Sequence, residues 1–244
     1  MKAFILAAGY GKRLQPYTEK VPKALVEVQN IPMLEIVIKR LIKYGFEDII
    51  INLHHLSNQI KEFVASKNYF GIKISFSEEK ELLDTGGALK NAAHLIGNHP
   101  VLLHNVDILS DIDLNEFKKT FEHKNADVLL AVKARKSSRY LLFDDSYRLT
   151  GWKNTQTGET ILKNGTQTKN LHPLAFSGIH ILGPAALEKI NNHPEQKFSI
   201  TQFYLQQLEP LKIYGYPHNH NFVIDLGKID NLQLAQYLDM KKFL

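Results

Sequence analysis

The 244-residue sequence contains no cysteine, which excludes disulfides and thiolate metal sites. Any bound metal must therefore be held by carboxylates or histidines. The sequence also lacks an apolar run approaching the roughly 20 residues of a membrane-spanning helix, so we expect no membrane contact. Its apolar start leads into a glycine-containing loop rather than a signal-peptide cleavage site, which favours a cytoplasmic protein.

The formal net charge is +5, but most basic residues are scattered among acidic ones. The exception is the opening loop, which contains Lys12, Arg13, Lys20 and Lys23. Duplex nucleic acid requires an extended basic surface, whereas a local cluster of cations fits a small polyanion. We therefore expect no nucleic-acid partner.

Strand and helix patterns alternate over the first two-thirds of the chain. Short apolar runs predict strands at KAFILA, DIIINL, KISFS, PVLLHNVD and ADVLLAVKA. Apolar residues at helical spacing predict helices between them, such as MLEIVIKRLIKYG and LNEFKKTFEHK. Repeated β-α-β units indicate an α/β fold: a Rossmann-like, open and mostly parallel sheet with helices on both faces.

The pattern changes from about residue 139 to residue 170, where short alternating pieces among Thr, Asn, Gly and Lys predict a β-hairpin and an exposed excursion of the chain. After it, LAFSGIHIL predicts a strand, and KIDNLQLAQYLDMKKFL predicts a closing amphipathic helix. No repeat or linker interrupts the chain. We therefore predict one domain, 1–244, with portions 1–135 and 136–244.

The stretch LAAGYGKRLQPYTEKVPKAL follows the first predicted strand, where ligands bind in open α/β sheets. Gly9 and Gly11 let the backbone approach a ligand closely, and nearby cations can hold several phosphates. A dinucleotide-binding turn is excluded because Leu14 occupies the place of its third glycine. A P-loop is excluded because its first glycine and the hydroxyl after its lysine are missing.

This stretch resembles the opening of the nucleoside-diphosphate-sugar pyrophosphorylases, or sugar-1-phosphate nucleotidylyltransferases. The resemblance implies that Ala8, Gly9 and Gly11 lie against the base and phosphates of a nucleoside triphosphate. It also implies two catalytic residues. Arg13 would grip the departing β- and γ-phosphates, and Lys23 would bridge the phosphates around the α-phosphorus.

Two further segments resemble the family's magnesium site. HNVDILSD is similar to its N-G-D pattern, which implies that Asn105 contacts the nucleotide and that Asp107 binds Mg²⁺; Val106 replaces the glycine. FVIDLG is similar to a second pattern, whose aspartate, here Asp225, completes the site. Two carboxylates with phosphate and water oxygens suit Mg²⁺.

A lone aspartate at a strand end is also a common helix cap, and we interpret Asp111 and Asp113 in this way. Zinc has little support without cysteines or a paired-histidine motif. We interpret the remaining candidate histidines as surface or loop residues; they are His54, His55, His218 and His220.

The nucleotide side is completed by EEKELLDTGGAL, which resembles a segment of the family that meets the base. The resemblance implies that Glu79, Thr85, Gly86 and Gly87 bind the nucleotide. The alternative is a helix N-terminus capped by the threonine, a role compatible with binding.

On the sugar side, AFSGIHIL resembles a family strand, which implies that Ser177 and Gly178 contact the sugar phosphate. Lys153 could correspond to a lysine that meets the sugar phosphate in some members. The resemblance thus assigns nucleotide binding to 1–135, and sugar binding with completion of the metal site to 136–244.

Together these motifs imply a Mg²⁺-assisted nucleotidyltransferase that joins UTP or GTP to a hexose-type sugar 1-phosphate. Its product would be a cell-envelope polysaccharide precursor, and we expect a monomer or small homo-oligomer. Three alternatives remain: a non-catalytic nucleotide-sensing or assembly module of the same fold, a phosphocholine-type cytidylyltransferase, and a nicotinamide-dependent reductase. The reductase lacks support because the third glycine and the later acidic residue are missing.

Overall fold

The computed structural model describes residues 1–165 and 170–244. The strands are β1 (Lys2–Leu6), β2 (Glu27–Val28), β3 (Ile31–Pro32), β4 (Asp48–Leu53), β5 (Lys73–Glu78), β6 (Val101–Asn105), β7 (Ile108–Ser110), β8 (Val128–Lys133), β9 (Arg139–Phe143), β10 (Leu149–Asn154), β11 (Thr160–Leu162), β12 (His172–Leu182), β13 (Ile213–Pro217) and β14 (Val223–Asp225). The α-helices are α1 (Met33–Lys43), α2 (Ser57–Ser66), α3 (Asp84–Asn91), α4 (Ala93–Ile96), α5 (Leu114–His123), α6 (Pro184–Asn191), α7 (Ile200–Gln206) and α8 (Ile229–Ala235).

The main sheet has ten strands, and its main path runs β11-β10-β9-β12-β6-β1-β4-β5. Strands β6, β1, β4 and β5 are parallel to one another. The long strand β12 runs antiparallel between β6 and β8, and β13 lies parallel to β8 at the other side. The predicted Rossmann-like, mostly parallel sheet is confirmed.

Helices cover both faces of this sheet because its central strands are apolar on both sides. In β1, Ile5 belongs to the buried cluster that contains residues of α1, α2 and α5. The neighbouring Phe4 belongs to the opposite cluster, which contains residues of α3, α6 and α7. Because side chains alternate along each strand, the sheet contributes to two separate apolar cores, one on each of its faces.

The predicted hairpin is confirmed, since β9, β10 and β11 form an antiparallel extension of the sheet. Part of the predicted excursion, residues 166–169, lies outside the described residues. The predicted closing helix is only partly correct: α8 ends at Ala235, and a short 3-10 helix follows at Met240–Lys242. Asp239 lies between the two helices, and its carboxylate caps the 3-10 helix by accepting a hydrogen bond from the Lys241 N–H.

The parallel strands β1, β4 and β6 end at the same edge of the sheet, and the opening loop leaves β1 there. A third apolar cluster packs α8 and β14 against this loop, and Leu14, Val26, Ile224 and Leu232 are among its members. The C-terminal part of the chain is thereby held beside the first loop. Within residues 1–165 and 170–244, no helix combines the length and apolarity that a membrane span requires.

Candidate active site

The loop after β1 contains two glycines with different surroundings. Gly11 has a left-handed backbone, with φ at +68°, and an added Cβ would lie 2.8 Å from a methyl carbon of Thr18. The Thr18 hydroxyl also donates a hydrogen bond to the Gly11 carbonyl at 2.9 Å. At Gly9, an added Cβ would meet none of the described atoms within 4 Å. The fold of the loop requires Gly11, whereas Gly9 leaves room for a ligand against the backbone.

Asn52 on β4 holds the start of this loop. Its side-chain carbonyl accepts hydrogen bonds from the N–H groups of Ala7 (2.8 Å) and Ala8 (3.2 Å). Its amide donates to the Glu79 carboxylate, whose second oxygen accepts the Leu83 N–H at 2.9 Å. Burial raises the pKa of Glu79. The predicted nucleotide-binding residue Glu79 therefore also supports the loop through Asn52.

A short strand pair brings the predicted metal ligands Asp107 and Asp225 together. Strand β7 starts directly after Asp107 and pairs antiparallel with β14, so that Asp225 lies opposite Ile108. The Leu226 N–H donates to the Asp107 carbonyl at 2.8 Å. Val106, in the place of the family's glycine, is buried and has no left-handed backbone. A valine is therefore compatible with the turn that carries Asp107.

Each carboxylate is paired with a cation of the opening loop. Lys23 Nζ lies 2.5 Å from Asp107 Oδ2, and both side chains are largely buried. Arg13 Nη1 lies 3.4 Å from Asp225 Oδ2 in a more exposed position. Burial raises the pKa of Asp107, and the charge of Lys23 opposes this effect without reversing it. Burial also acts to raise the pKa of Asp225, but the Gly227 N–H and the Arg13 charge outweigh it and lower that pKa.

Gly227 lies among these four charges. An added Cβ would lie 2.6 Å from Asp107 Oδ2, 2.8 Å from Asp225 Oδ1 and 2.8 Å from Arg13 Nη2. The missing side chain therefore lets both carboxylates and the Arg13 guanidinium pack directly against the Gly227 backbone. Across the described parts of the chain, no group of three or more His, Cys, Asp or Glu residues could hold a metal. The pair fits Mg²⁺, which is usually bound by one or two carboxylates together with substrate phosphates.

Gly86 and Gly87 on α3 contact a segment that lies more than 100 residues later in the chain. An added Cβ at Gly86 would lie 2.3 Å from the Phe198 ring, and one at Gly87 would lie 2.2 Å from the Gln196 carbonyl oxygen. Both glycine N–H groups donate to the Phe198 carbonyl, at 2.9 and 3.3 Å. The two glycines therefore allow close packing of backbone on backbone. Their contact with a base stays a prediction.

This packing leads to a stability prediction. Gly86→Ala will lower the free energy of unfolding by about 1–3 kcal/mol or more, because its methyl group overlaps Phe198. Gly9→Ala is the matched control, since open space surrounds that position and the fold will tolerate the methyl group. Urea denaturation of both variants measures the difference. Equal stability of the two variants would contradict the packing role.

The three predicted sugar-side residues occupy different environments. Ser177 is buried, and its hydroxyl lies 2.8 Å from Nε2 of His218. Gly178 has φ at +74°, and an added Cβ would lie 2.9 Å from the Asn105 side-chain nitrogen. Lys153 is exposed on β10. Gly178 therefore makes room for Asn105, and the Ser177 hydroxyl already has a protein partner.

Two interpretations of polar residues need correction. His218 follows β13 in a loop, as predicted, but it is buried, and burial lowers its pKa to about 4. Asp113 does cap α5, but Asp111 does not. The Asp111 carboxylate instead accepts the Phe222 N–H at 2.7 Å and so ties the chain after β7 to the chain before β14.

Two cavities meet beside Asp84, which lines both. The first has a volume of about 520 Å³. It is lined by the predicted residues Ala8, Gly9, Arg13, Lys23, Glu79, Thr85, Asn105 and Asp107. The second, of about 630 Å³, has a mostly polar wall that includes Arg139, Asn154, Glu159 and Thr201 beside Trp152 and Phe176. The predicted sugar-side residues Ser177, Gly178 and Lys153 line neither cavity.

Sequence reasoning missed three residues of this site. Asn52 had a signal, because it is a polar residue inside the apolar strand DIIINL. Gly227 had a weaker signal in the sequence, because it is a glycine two residues after the predicted metal ligand Asp225. Lys197 also lines the first cavity, but its segment has no motif that points to the site.

Residues 2–143 match the family described as nucleotidyl transferase. The chain is 30% identical over 240 residues to the D-glycero-alpha-D-manno-heptose 1-phosphate guanylyltransferase of Aneurinibacillus thermoaerophilus, with 97% of each protein covered. It is 40% identical over 114 residues to the N-acetylmuramate alpha-1-phosphate uridylyltransferase of Neisseria meningitidis serogroup B, covering 46% of this chain and 49% of that protein. Several mannose-1-phosphate guanyltransferases also match, and the chain spans about half of their length.

The fold is similar to that of HddC from Yersinia pseudotuberculosis, whose crystal structure was solved in complex with GMP-PN. The TM-score is 0.77 at 24% sequence identity, with 96% of this chain and 97% of that chain covered. At this identity the likeness concerns the fold alone.

Proposed function

The chain belongs to the nucleotidyl transferase family, and we propose that it joins a nucleoside triphosphate to a sugar 1-phosphate. The products are a nucleoside-diphosphate sugar and pyrophosphate. One observation carries this proposal: two carboxylates pair with two cations beside Gly227, and three of these four side chains, Arg13, Lys23 and Asp107, line the cavity behind the opening glycine loop. A module that only binds a nucleotide does not need both carboxylates, which argues against the non-catalytic alternative.

We assign the first cavity to the nucleoside triphosphate. Its glycine loop offers an open backbone at Gly9, and the side chains of Arg13 and Lys23 supply positive charge for phosphates. We assign Mg²⁺ to Asp107 and Asp225. When bound, this ion neutralises negative charge on the α-phosphate and on the departing pyrophosphate.

The carboxylates compete with phosphate for the two loop cations. A cation held by Asp107 and Asp225 would compensate their charge and would leave Lys23 and Arg13 able to donate hydrogen bonds to the triphosphate. Lys23 then stabilises charge around the α-phosphorus, and Arg13 stabilises the leaving pyrophosphate. Both interactions strengthen as negative charge grows in the transition state, and such interactions accelerate the reaction.

The chemical step is an in-line displacement at phosphorus. An oxygen of the sugar phosphate forms a bond to the α-phosphorus, and the bond from that phosphorus to the bridging oxygen of the β-phosphate breaks. The attacking oxygen is already an anion, so the reaction requires no general base. The protein's task is to position two anions that repel one another.

We assign the second cavity to the acceptor. Its serine, threonine, asparagine and glutamine side chains suit sugar hydroxyls, and Trp152 offers an apolar face for a sugar ring. Two aromatic residues with Asp84 and Glu159 would also suit the quaternary ammonium of phosphocholine. Arg139 in the same wall opposes that cation, so a hexose-type sugar phosphate is the favoured acceptor.

The relatives named as guanylyltransferases and uridylyltransferases support GTP or UTP as the donor. We further infer a cytoplasmic enzyme, a monomer or small homo-oligomer, whose product is a precursor of cell-envelope polysaccharide.

The test is a panel of the four common nucleoside triphosphates, each combined with mannose, heptose and N-acetylmuramate 1-phosphates and with phosphocholine. Release of pyrophosphate with one sugar phosphate and GTP or UTP is the expected result. Activity with phosphocholine and CTP alone would identify the cytidylyltransferase alternative. Nucleotide binding without pyrophosphate release from any pair would favour the non-catalytic module.

A further inference from the structure

The acceptor phosphate needs a positive charge that the predicted residues do not supply. Lys153, the lysine that the resemblance assigns to it, is exposed on β10 and lines neither cavity. Its neighbours Trp152 and Asn154 do line the second cavity, so alternation along the strand directs Lys153 to the opposite face. Arg13 and Lys23 are already assigned to the triphosphate. In the second cavity Arg139 supplies one positive charge, and the wall of the first cavity offers one further cation besides Arg13 and Lys23.

Lys197 is a cation in a suitable place. It lines the first cavity together with Asp84 and Thr85, and within the described residues it forms no ion pair or side-chain hydrogen bond. Three residues that follow it, Ser199, Thr201 and Gln202, line the second cavity. The segment thus passes from one cavity to the other, with Lys197 at the boundary.

The backbone around Lys197 is fixed from both sides. The Phe198 N–H donates to the Leu83 carbonyl at 3.2 Å, and the Phe198 carbonyl accepts from Gly86 and Gly87. The Ile200 N–H donates to the Thr85 hydroxyl at 3.0 Å. Lys197 is thereby anchored to the N-terminal turn of α3, which borders the nucleotide cavity.

We propose that Lys197 binds the phosphate of the acceptor and thereby sets the affinity for the sugar phosphate, in place of Lys153. This inference rests on the proposed function. The phosphate must lie where the two cavities meet, since its oxygen attacks a nucleotide in the first while its sugar occupies the second. Lys197 lines the first cavity beside Asp84, which lines both, and its ammonium group offers a point charge with three N–H donors.

The expected effect of Lys197→Ala is a rise in KM for the sugar phosphate of roughly tenfold to 100-fold, the range for losing a hydrogen bond to a charged group. The dissociation constant of the nucleotide, measured by calorimetry without acceptor, will change less than about twofold. Lys197→Arg will recover most of the affinity, because a guanidinium also donates to phosphate.

Two matched controls accompany these variants, each removing one positive charge. Lys189→Ala changes an exposed residue of α6 outside both cavities and will leave KM unchanged. Lys153→Ala tests the residue that the resemblance assigns. Kinetics are measured with mannose 1-phosphate and GTP, or with N-acetylmuramate 1-phosphate and UTP, whichever pair the wild type turns over. Thermal unfolding of Lys197→Ala verifies that its fold is intact.

Three results would overturn the inference. A KM for the sugar phosphate that is the same in Lys197→Ala as in Lys189→Ala would remove Lys197 from the acceptor site. A weaker affinity for the nucleotide at unchanged acceptor KM would assign Lys197 to the triphosphate instead. An effect confined to Lys153→Ala would return the role to that residue. If the wild type is inactive with every pair, the proposed function fails as well. If the wild type is active and one of these three results is found, only the assignment of Lys197 fails.

Discussion

Asp107→Asn and Asp225→Asn will each lower the rate of pyrophosphate release by about 100-fold to 1000-fold or more, the range for losing one electrostatic contact to a transition state. Both carboxylates lie against Gly227, and each substitution removes one negative charge that would hold Mg²⁺ there. The fold will persist, because asparagine has nearly the same shape as aspartate. Removal of divalent cations with EDTA will abolish the activity of the wild type, and Mg²⁺ will restore it.

The matched control is Asp113→Asn, the same chemical change at the cap of α5. Asparagine caps a helix as well as aspartate does, so neither stability nor rate will change appreciably. Binding of Mn²⁺, followed by its electron paramagnetic resonance signal in the presence of nucleotide, gives a readout that does not depend on turnover. Normal turnover and normal Mn²⁺ binding in either variant would exclude that residue from the metal site.

The stability of the protein will fall steeply as the pH drops below about 6.5. Burial lowers the pKa of His180 to about 3, and that of His104 and His218 to about 4. In the unfolded chain these histidines bind protons below pH 6.5, whereas in the folded protein they stay neutral until about pH 4. Protonation therefore favours the unfolded state in this window, and the stability present above pH 6.5 is lost as the pH falls.

Each of these histidines contributes a slope of about 1.4 kcal/mol per pH unit, so the three together contribute up to about 4 kcal/mol per unit. Urea denaturation at several pH values between 7.5 and 4.5 measures the slope. His180→Gln will reduce the slope by the share of one histidine, about 1.4 kcal/mol per pH unit, because glutamine does not titrate. Its side-chain oxygen can accept a hydrogen bond from the Tyr204 hydroxyl, the group that His180 contacts. His123→Gln, at an exposed position of α5, is the control. A flat profile between pH 6.5 and 4.5 would contradict this prediction.

Local patterns were sufficient to predict the parallel strands and the position of the opening loop, whereas the choice of Arg13, Lys23, Asp107 and Asp225 came from the family resemblance. Each strand was a continuous apolar run, and parallel strands must end at one edge, so their polar termini converge. Asp225 was assigned because FVIDLG is similar to a family pattern, and its position on β14, paired with β7, could not be read from that pattern. The end of α8 was not predicted because apolar spacing continues beyond Ala235, although the chain there forms a separate 3-10 helix.

The sugar side could not be predicted with the same accuracy because it depends on register and on distant contacts. A shift of one residue along β10 decides whether Lys153 or its neighbours face the cavity, and the sequence does not fix that register. Likewise, a Thr-Gly-Gly turn suggests ligand contact when read locally. Its packing partner, Phe198, is separated from it by more than 100 residues.

The docking of residues 196–198 on Gly86 and Gly87 has a consequence for protein engineering. A graft that replaces only the acceptor-side segment would bring foreign side chains onto a surface where the Gln196 carbonyl oxygen and the Phe198 ring lie 2.2 and 2.3 Å from the Cβ positions of Gly87 and Gly86. Residues 84–90 and 193–200 therefore need to be exchanged together when a chimera with a related protein is made. We expect chimeras that keep both segments together to be more stable than chimeras that exchange one segment alone.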